Sequence, residues 1–257
     1  LQAKAAVIGC RDGLAAAGRD APLMVQVTME SSGTMLLGTE IGAALTALEA
    51  YPLDVIGLNC ATGPQEMAEH IRFLGRHCRK AISCLPNAGL PRMEGGRARY
   101  LLTPEALAAH HRQFVEEHGV NIVGGCCGTT PAHLQRVVEA IGERAPVPRT
   151  PEHVPAAASL YVSVPFRQEQ SFLIVGERTN ANGSKQFREH LLAGNHDGMV
   201  AMAREQAREG AHVLDVCVDY VGRNGVADMD QLVRRLVTQT TLPLVIDSTE
   251  TPVIGPR

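Results

Sequence analysis

Strand-length apolar runs alternate with helical patterns along this chain, and that alternation constrains its fold more than any other feature. Runs rich in Val, Ile and Leu occupy 22–29, 54–59, 80–85 and 121–125. Helical patterns fill 3–17, 40–50, 64–78, the stretch after Thr103 and the stretch from Thr130 to near Gly142. Pro64 reads as a first-turn proline, and Thr103-Pro104 as an N-cap followed by proline at N1. Strands separated by helices predict a parallel sheet. Prolines 146, 148, 151, 155 and 165 then punctuate 143–170, a stretch that can hold neither a regular helix nor a central strand. A second series follows: a strand at 171–175, helix over 184–210, a strand at 211–216, a helix over 228–240 and a strand at 242–246. The expected division is a domain at 1–143, a proline-rich linker at 144–170 and a second domain at 171–257, with four strands in the first and three in the second.

Composition narrows the classes of function. A net charge of −3 over 257 residues offers no basic surface for nucleic acid, and a hydrophobic content of 45% supports a sizeable core. No run of about 18 apolar residues suggests a membrane span. Seven cysteines without a signal-peptide pattern fit a reducing compartment, and the cytoplasm is the expected location. The first residue is Leu1 and the helical pattern starts at once, so an internal piece of a longer protein is expected. The ten histidines form no metal pattern. His110 and His111 are adjacent on a helix and point different ways, and all ten read as surface or packing residues. No Gly-x-Gly-x-x-Gly opens a helix, so no dinucleotide loop is expected.

The chemistry concentrates at strand ends. The run at 54–59 ends in Asn59-Cys60, and the run at 121–125 ends in Gly124-Gly125-Cys126-Cys127-Gly128. Zinc is commonly held by four ligands, so three thiolates leave one position open, the catalytic pattern rather than the closed structural one. A soft all-sulfur site with a vacancy suits a substrate that is itself a thiol. The alternatives are a buried pair of small apolar cysteines or a redox disulfide. Adjacent cysteines make a strained bridge, and a zinc role requires reduced thiols.

These residues resemble the homocysteine methyltransferase family, whose zinc cysteines lie in a strand ending Asn-Cys and in a later Gly-Gly-Cys-Cys-Gly. The match falls on Cys60, Cys126 and Cys127, with Pro86-Asn87-Ala88-Gly89-Leu90-Pro91 similar to the family's substrate-proximal segment. Gly176-Glu177-Arg178-Thr179-Asn180 and Asp247-Ser248-Thr249 resemble the pterin-binding barrel of the cobalamin-dependent methionine synthases, in which a homocysteine barrel is followed by a methyltetrahydrofolate barrel.

The resemblance implies an α/β fold of two (β/α)8 TIM-type barrels in tandem, with chemistry at the C-terminal strand ends. Both appear incomplete here, the C-terminal half of the first and the N-terminal part of the second. It implies zinc on Cys60, Cys126 and Cys127, homocysteine contacts from Asn87 and Asn59, and pterin contacts from Glu177, Asn180, Asp215 and Asp247. No side chain is assigned a catalytic role, because the zinc-bound substrate thiolate is the nucleophile. The expected reaction is methyl transfer from 5-methyltetrahydrofolate through cobalamin to homocysteine, giving methionine and tetrahydrofolate. No Asp-x-His-x-x-Gly stretch occurs, so cobalamin would be bound by a domain absent from this chain. For Asn87 a turn role is the alternative, for Asn59 a strand-end role and for Asp215 a loop-capping one. Two other readings are a single-barrel homocysteine S-methyltransferase with another methyl donor and a non-catalytic zinc-binding remnant. One position departs from the family: Cys217 stands where Asp-Val-Asn has its amide, removing a side-chain donor and acceptor.

Overall fold

The computed structural model describes residues 2–255. The chain divides into two compact units that meet between Val154 and Pro155. In the first, α1 (Gln2–Ala16), β1 (Met24–Val27), α2 (Ile41–Glu49), β2 (Val55–Asn59), α3 (Pro64–His77) and β3 (Ala81–Leu85) alternate as the sequence predicts. A short hairpin, β4 (Arg92–Glu94) and β5 (Arg97–Arg99), precedes α4 (Pro104–His118), β6 (Ile122–Val123) and α5 (Pro131–Ile141). Strands β1, β2, β3 and β6 pair in that order, all parallel, so their C-terminal ends share one edge.

Register separates the two faces of this sheet. Side chains alternate along a strand. One face therefore carries Val25, Ile56 and Ile82 in one row, and Val27, Leu58, Cys84 and Val123 in the next. These pack with Leu45, Leu48, Met67, Ile71, Leu74 and Phe114 of the helices into one core. Each fully buried Leu or Ile there contributes about 1.5–3 kcal/mol relative to exposure. The opposite face carries Gln26, Gly57 and Ser83 in one row, and Gln26 Nε2 donates to Ser83 Oγ at 3.0 Å. A Cβ on Gly57 would strike Ser83, so the strands approach there only because that side chain is absent.

Local chemistry sets the helix ends. Thr103 caps α4 by accepting from the Ala106 N–H at 3.2 Å, and Gly119 ends it in the left-handed region at φ 65. The proline-rich stretch is not a free linker at its start. Arg149 donates to the carbonyls of Cys78 and Lys80 at 2.6 and 2.7 Å, and the Glu152 N–H donates to the Arg76 carbonyl at 2.8 Å.

The second unit opens with an antiparallel hairpin, β7 (Ala156–Ala158) and β8 (Ser163–Pro165), which the sequence did not predict. Pro165 is tolerated at its edge because it needs no ladder donor there. Then come β9 (Val175–Gly176), α6 (Lys185–Leu192), α7 (His196–Arg208), β10 (Val213–Val216), α8 (Gly225–Gln239), β11 (Leu244–Ile246) and α9 (Thr251–Ile254). The sheet order is β11-β10-β9, all parallel. Two expectations are corrected. The strand expected over 171–175 shrinks to Val175–Gly176, with Phe172 91% exposed. The single helical stretch over 184–210 is two helices, because Gly194 turns left-handed at φ 64 and Asn195 caps the next helix through the Gly198 N–H at 3.0 Å. Among the described residues both parallel sheets are open.

Candidate functional site

The end of β2 is the strained point of the first unit. Among the described residues, Cys60 and Ala61 are the non-glycine residues in the left-handed region, at φ 57 and 55. That conformation costs about 1–2 kcal/mol per residue and persists only where neighbours enforce it. The enforcement is a set of backbone bonds. Cys60 N–H donates to the Leu85 carbonyl at 3.2 Å, Thr62 N–H to the Cys60 carbonyl at 2.7 Å and Asn87 N–H to the Thr62 carbonyl at 3.0 Å.

The loop after β6 is clasped to the loop after β3 in the same way. Cys126 N–H donates to the Pro86 carbonyl at 2.8 Å and Ala88 N–H to the Cys127 carbonyl at 2.9 Å. Asn87 is 3% exposed, and its Oδ1 accepts from the Cys127 N–H at 3.0 Å. Its side-chain oxygen thus holds the cysteine loop. Asn59 accepts from Thr28 Oγ1 at 3.3 Å, which ties the β2 end to the segment after β1.

These clasps bring the three predicted cysteines together. The sulfurs of Cys60, Cys126 and Cys127 all lie within 4.8 Å of one another. The Cys60 and Cys127 sulfurs are 3.8 Å apart. Two zinc–sulfur bonds of about 2.3 Å at the tetrahedral angle separate their sulfurs by about 3.8 Å, so the donor set and this spacing fit zinc. Cys60 and Cys126 are joined as a disulfide in this structure, and Cys127 is free. The bridge links two strand ends and not the adjacent pair, so the strain that disfavoured a disulfide between neighbours does not apply to it. A disulfide sulfur is not a thiolate, and the metal-binding form of the cluster is therefore the reduced one.

Residues the sequence left unassigned complete the surroundings. His111, on α4, is fully buried, and its Nε2–H donates to the Gly124 carbonyl at 2.7 Å. Its Nδ1 is buried without a partner among the described residues, and burial pushes its pKa down to about 4, so the ring is neutral. His133 is the third residue of α5. Its Nδ1 meets Thr130 N–H at 3.2 Å, and its Nε2 donates to the Leu102 carbonyl at 2.9 Å. Gly128 sits at φ 78 with the ring of Tyr100 where a Cβ would be. Gly125 leaves room in the same way for the side chain of Thr129, whose Oγ1 donates to the Cys126 carbonyl at 2.6 Å. The glycines around the cysteines thus serve packing by Tyr100 and Thr129.

In the second unit, three of the four predicted polar residues meet. Asn180 Nδ2 donates to Asp215 Oδ2 at 2.8 Å and to Asp247 Oδ2 at 3.3 Å. Its Oδ1 accepts from the N–H groups of Asn182 and Gly183 at 2.8 and 3.2 Å. The fourth, Glu177, is exposed and lies beside Gly183, outside this cluster. Asp219, which the sequence did not single out, accepts from Ser248 Oγ and Thr249 N–H at 2.8 Å each and so anchors the loop that carries Asp247. Its neighbour in the chain, Cys217, is buried, and burial together with the charges of Asp219 and Asp247 pushes its thiol up to about 11. The thiol stays protonated, and its sulfur accepts from Asn182 Nδ2 at 3.8 Å. Cys217 therefore keeps a weak donor where the family's amide would stand.

Comparison with known proteins agrees with this arrangement. Residues 1–141 match the homocysteine S-methyltransferase family, and residues 176–255 match the pterin binding enzymes. The chain is 53% identical over 254 residues to the methionine synthase of Mycobacterium tuberculosis, covering 99% of this chain and 21% of that protein. It is 53% identical over 259 residues to the methionine synthase of Mycobacterium leprae, covering 99% and 22%. The chain thus spans about a fifth of the length of these curated relatives. Among solved structures, the carboxyl transferase domain of Rhizobium etli pyruvate carboxylase aligns over 89% of this chain and 35% of that one, at 16% identity and a TM-score of 0.31. The cysteine motifs, their convergence at one sheet edge and the match over residues 1–141 agree: the chain belongs to the homocysteine S-methyltransferase family.

Proposed function

We propose that this chain supplies the homocysteine-activating site and part of the methyltetrahydrofolate site of a cobalamin-dependent methionine synthase. The observation that supports it best is the convergence of Cys60, Cys126 and Cys127 within 4.8 Å at the ends of two parallel strands. Zinc held by these sulfurs supplies a Lewis acid with one open position, at which a substrate thiol is held as its thiolate. The chain's own residues fix that position. Asn87 holds the Cys127 backbone and His111 holds the Gly124 carbonyl, so the sulfurs are set before substrate arrives. Asn59 and Asn87 flank the cluster and are the proposed contacts for the amino-acid end of homocysteine.

In the second unit, Asn180, Asp215 and Asp247 are the proposed hold on the pterin, with Glu177 at the rim. Carboxylates accept hydrogen bonds from the amino and N–H edge of such a ring. The methyl group would pass from N5 of 5-methyltetrahydrofolate to cobalamin and on to homocysteine sulfur, whose proton is lost on binding, leaving tetrahydrofolate and methionine. Cobalamin itself would be held by a domain outside this chain, the partner of both sites. The two units are proposed as portions of two (β/α)8 barrels, divided near the proline-rich stretch at 144–170. No helix of the described residues is long and apolar enough to cross a membrane, and a thiolate site fits the reducing cytoplasm.

A second reading, a homocysteine S-methyltransferase using another methyl donor, accounts for the sulfur cluster but leaves the Asn180–Asp215–Asp247 arrangement without a role. Cobalt(II) in place of zinc gives the test. Homocysteine added to the reduced, cobalt-loaded chain is expected to change the sulfur-to-metal absorption, and methionine, which has no thiol, is not. An unchanged spectrum with homocysteine contradicts the proposed site.

A further inference from the structure

Asn180 has no hydrogen-bonding capacity left for a ligand. Its Nδ2 donates to Asp215 Oδ2 at 2.8 Å and to Asp247 Oδ2 at 3.3 Å, and its Oδ1 accepts from the N–H groups of Asn182 and Gly183 at 2.8 and 3.2 Å. A primary amide offers two N–H hydrogens and two oxygen lone pairs, so all four are used. Asn180 therefore serves the site by fixing the two carboxylates and the turn that follows it. Ionised carboxylates only accept, whereas a pterin ring also carries a carbonyl and ring nitrogens that call for a donor.

Asn182 has that capacity, and its backbone is held in place. Asn180 and Cys217 form a parallel bridge, in which Ala181 N–H donates to the Cys217 carbonyl at 2.9 Å. Arg188 Nη1 donates to the Ala181 carbonyl at 2.9 Å. From this backbone the Asn182 side chain turns to Cys217, and its Nδ2 donates to the sulfur at 3.8 Å. Sulfur is a weak acceptor, so the contact orients the amide without engaging it strongly. Asn182 is exposed, and its second Nδ2 hydrogen and its Oδ1 have no partner among the described residues.

We infer that Asn182 binds the pterin ring through its side-chain amide, filling the place that Cys217 leaves without one. This rests on the pterin reading of the second unit. The amide missing at position 217 stands here on the loop after β9, one hydrogen bond from the Cys217 sulfur. It gives the site a donor for the acceptor atoms of the ring, which Asp215 and Asp247 cannot supply.

The test uses the 257-residue chain, with 5-methyltetrahydrofolate binding read by equilibrium dialysis and folding by thermal unfolding. Asn182→Ala is expected to unfold at the wild-type temperature, because the side chain is exposed and its bond to sulfur is weak. It is expected to bind about 3–10-fold more weakly, the loss of one hydrogen bond. Asn182→Asp keeps the shape but loses the donor, and is expected to bind no better than Asn182→Ala. Adding Cys217→Asn to Asn182→Ala returns an amide to the site and is expected to regain most of the affinity, which a merely structural role for Asn182 would not produce. Wild-type affinity in Asn182→Ala or Asn182→Asp overturns the inference and leaves the pterin reading standing. A folded double variant as weak as Asn182→Ala overturns the exchange of roles between the two positions. A wild-type chain that does not bind 5-methyltetrahydrofolate overturns both the inference and the pterin reading.

Discussion

Cys60 shows at the scale of one residue what the sequence carries and what it conceals. Its place in the sulfur cluster is legible, because Asn59-Cys60 and Gly124-Gly125-Cys126-Cys127-Gly128 stand at the ends of apolar runs and a parallel sheet delivers such ends to one edge. Its backbone is not legible, since nothing in the letters says that Cys60 and Ala61 turn left-handed. His111 is concealed more deeply. Adjacent histidines on a helix look like solvated or packing residues, and only the approach of α4 to the cysteine loop turns one of them into a donor for the Gly124 carbonyl. The histidine's low pKa has a measurable consequence. In the unfolded chain it titrates near 6.5, and in the folded chain near 4. Between those values the unfolded state binds more protons, so the folded state loses stability as pH falls through that window and keeps it above. The difference corresponds to about 3 kcal/mol as an upper figure. Denaturant unfolding of the metal-free chain is expected to show a steeper loss from pH 7 to pH 4 in the wild type than in His111→Gln, which retains an N–H donor but cannot take up a proton. Equal slopes would show that His111 carries no such linkage.

The elements were readable where packing follows local pattern. The four strands of the first sheet and two of the second lie where their Val, Ile and Leu runs lie, and α4 starts at the Thr103 cap the sequence advertises, whereas β9 keeps only the end of its run and the break before α7 at Gly194-Asn195 was not read. The hairpins β4–β5 and β7–β8 were not readable, because segments of three residues such as Arg-Met-Glu or Ser-Val-Pro are too short to show an apolar periodicity. Yet the first of these hairpins leads into Tyr100, whose ring packs on Gly128 beside the cysteines. Two glycines separate the effect of backbone from that of packing. Gly96, at the hairpin tip, has φ 75 with nothing within 4 Å of a Cβ, whereas Gly128 has φ 78 with the Tyr100 ring in that space. Gly96→Ala is expected to cost about 1–2 kcal/mol from backbone conformation alone. Gly128→Ala adds displacement of Tyr100 and is expected to cost clearly more and to weaken zinc. Thermal unfolding of both variants checks this, and equal losses would mean that Tyr100 yields freely.

On the scale of the whole molecule, each parallel sheet ends in strands with exposed apolar residues: Met24 on β1, Ile122 on β6, Val175 on β9 and Val245 on β11. Open apolar edges pair with other chains. The chain made alone is expected to associate with rising concentration in sedimentation velocity and to show no methyl transfer, and a monodisperse monomer with turnover would contradict that expectation. The central claim is that three cysteines from two strands form one metal site. Its most direct measurement is the zinc content of the purified chain after reduction and after exposure to zinc, for the wild type and for single Cys→Ser variants. The account predicts about one zinc per reduced wild-type chain, little in the oxidised chain with Cys60 and Cys126 joined, and strong loss in Cys60→Ser, Cys126→Ser and Cys127→Ser. Cys10→Ser, Cys78→Ser and Cys217→Ser should retain it. Full zinc in Cys126→Ser or Cys127→Ser, or none in the reduced wild type, would contradict the account.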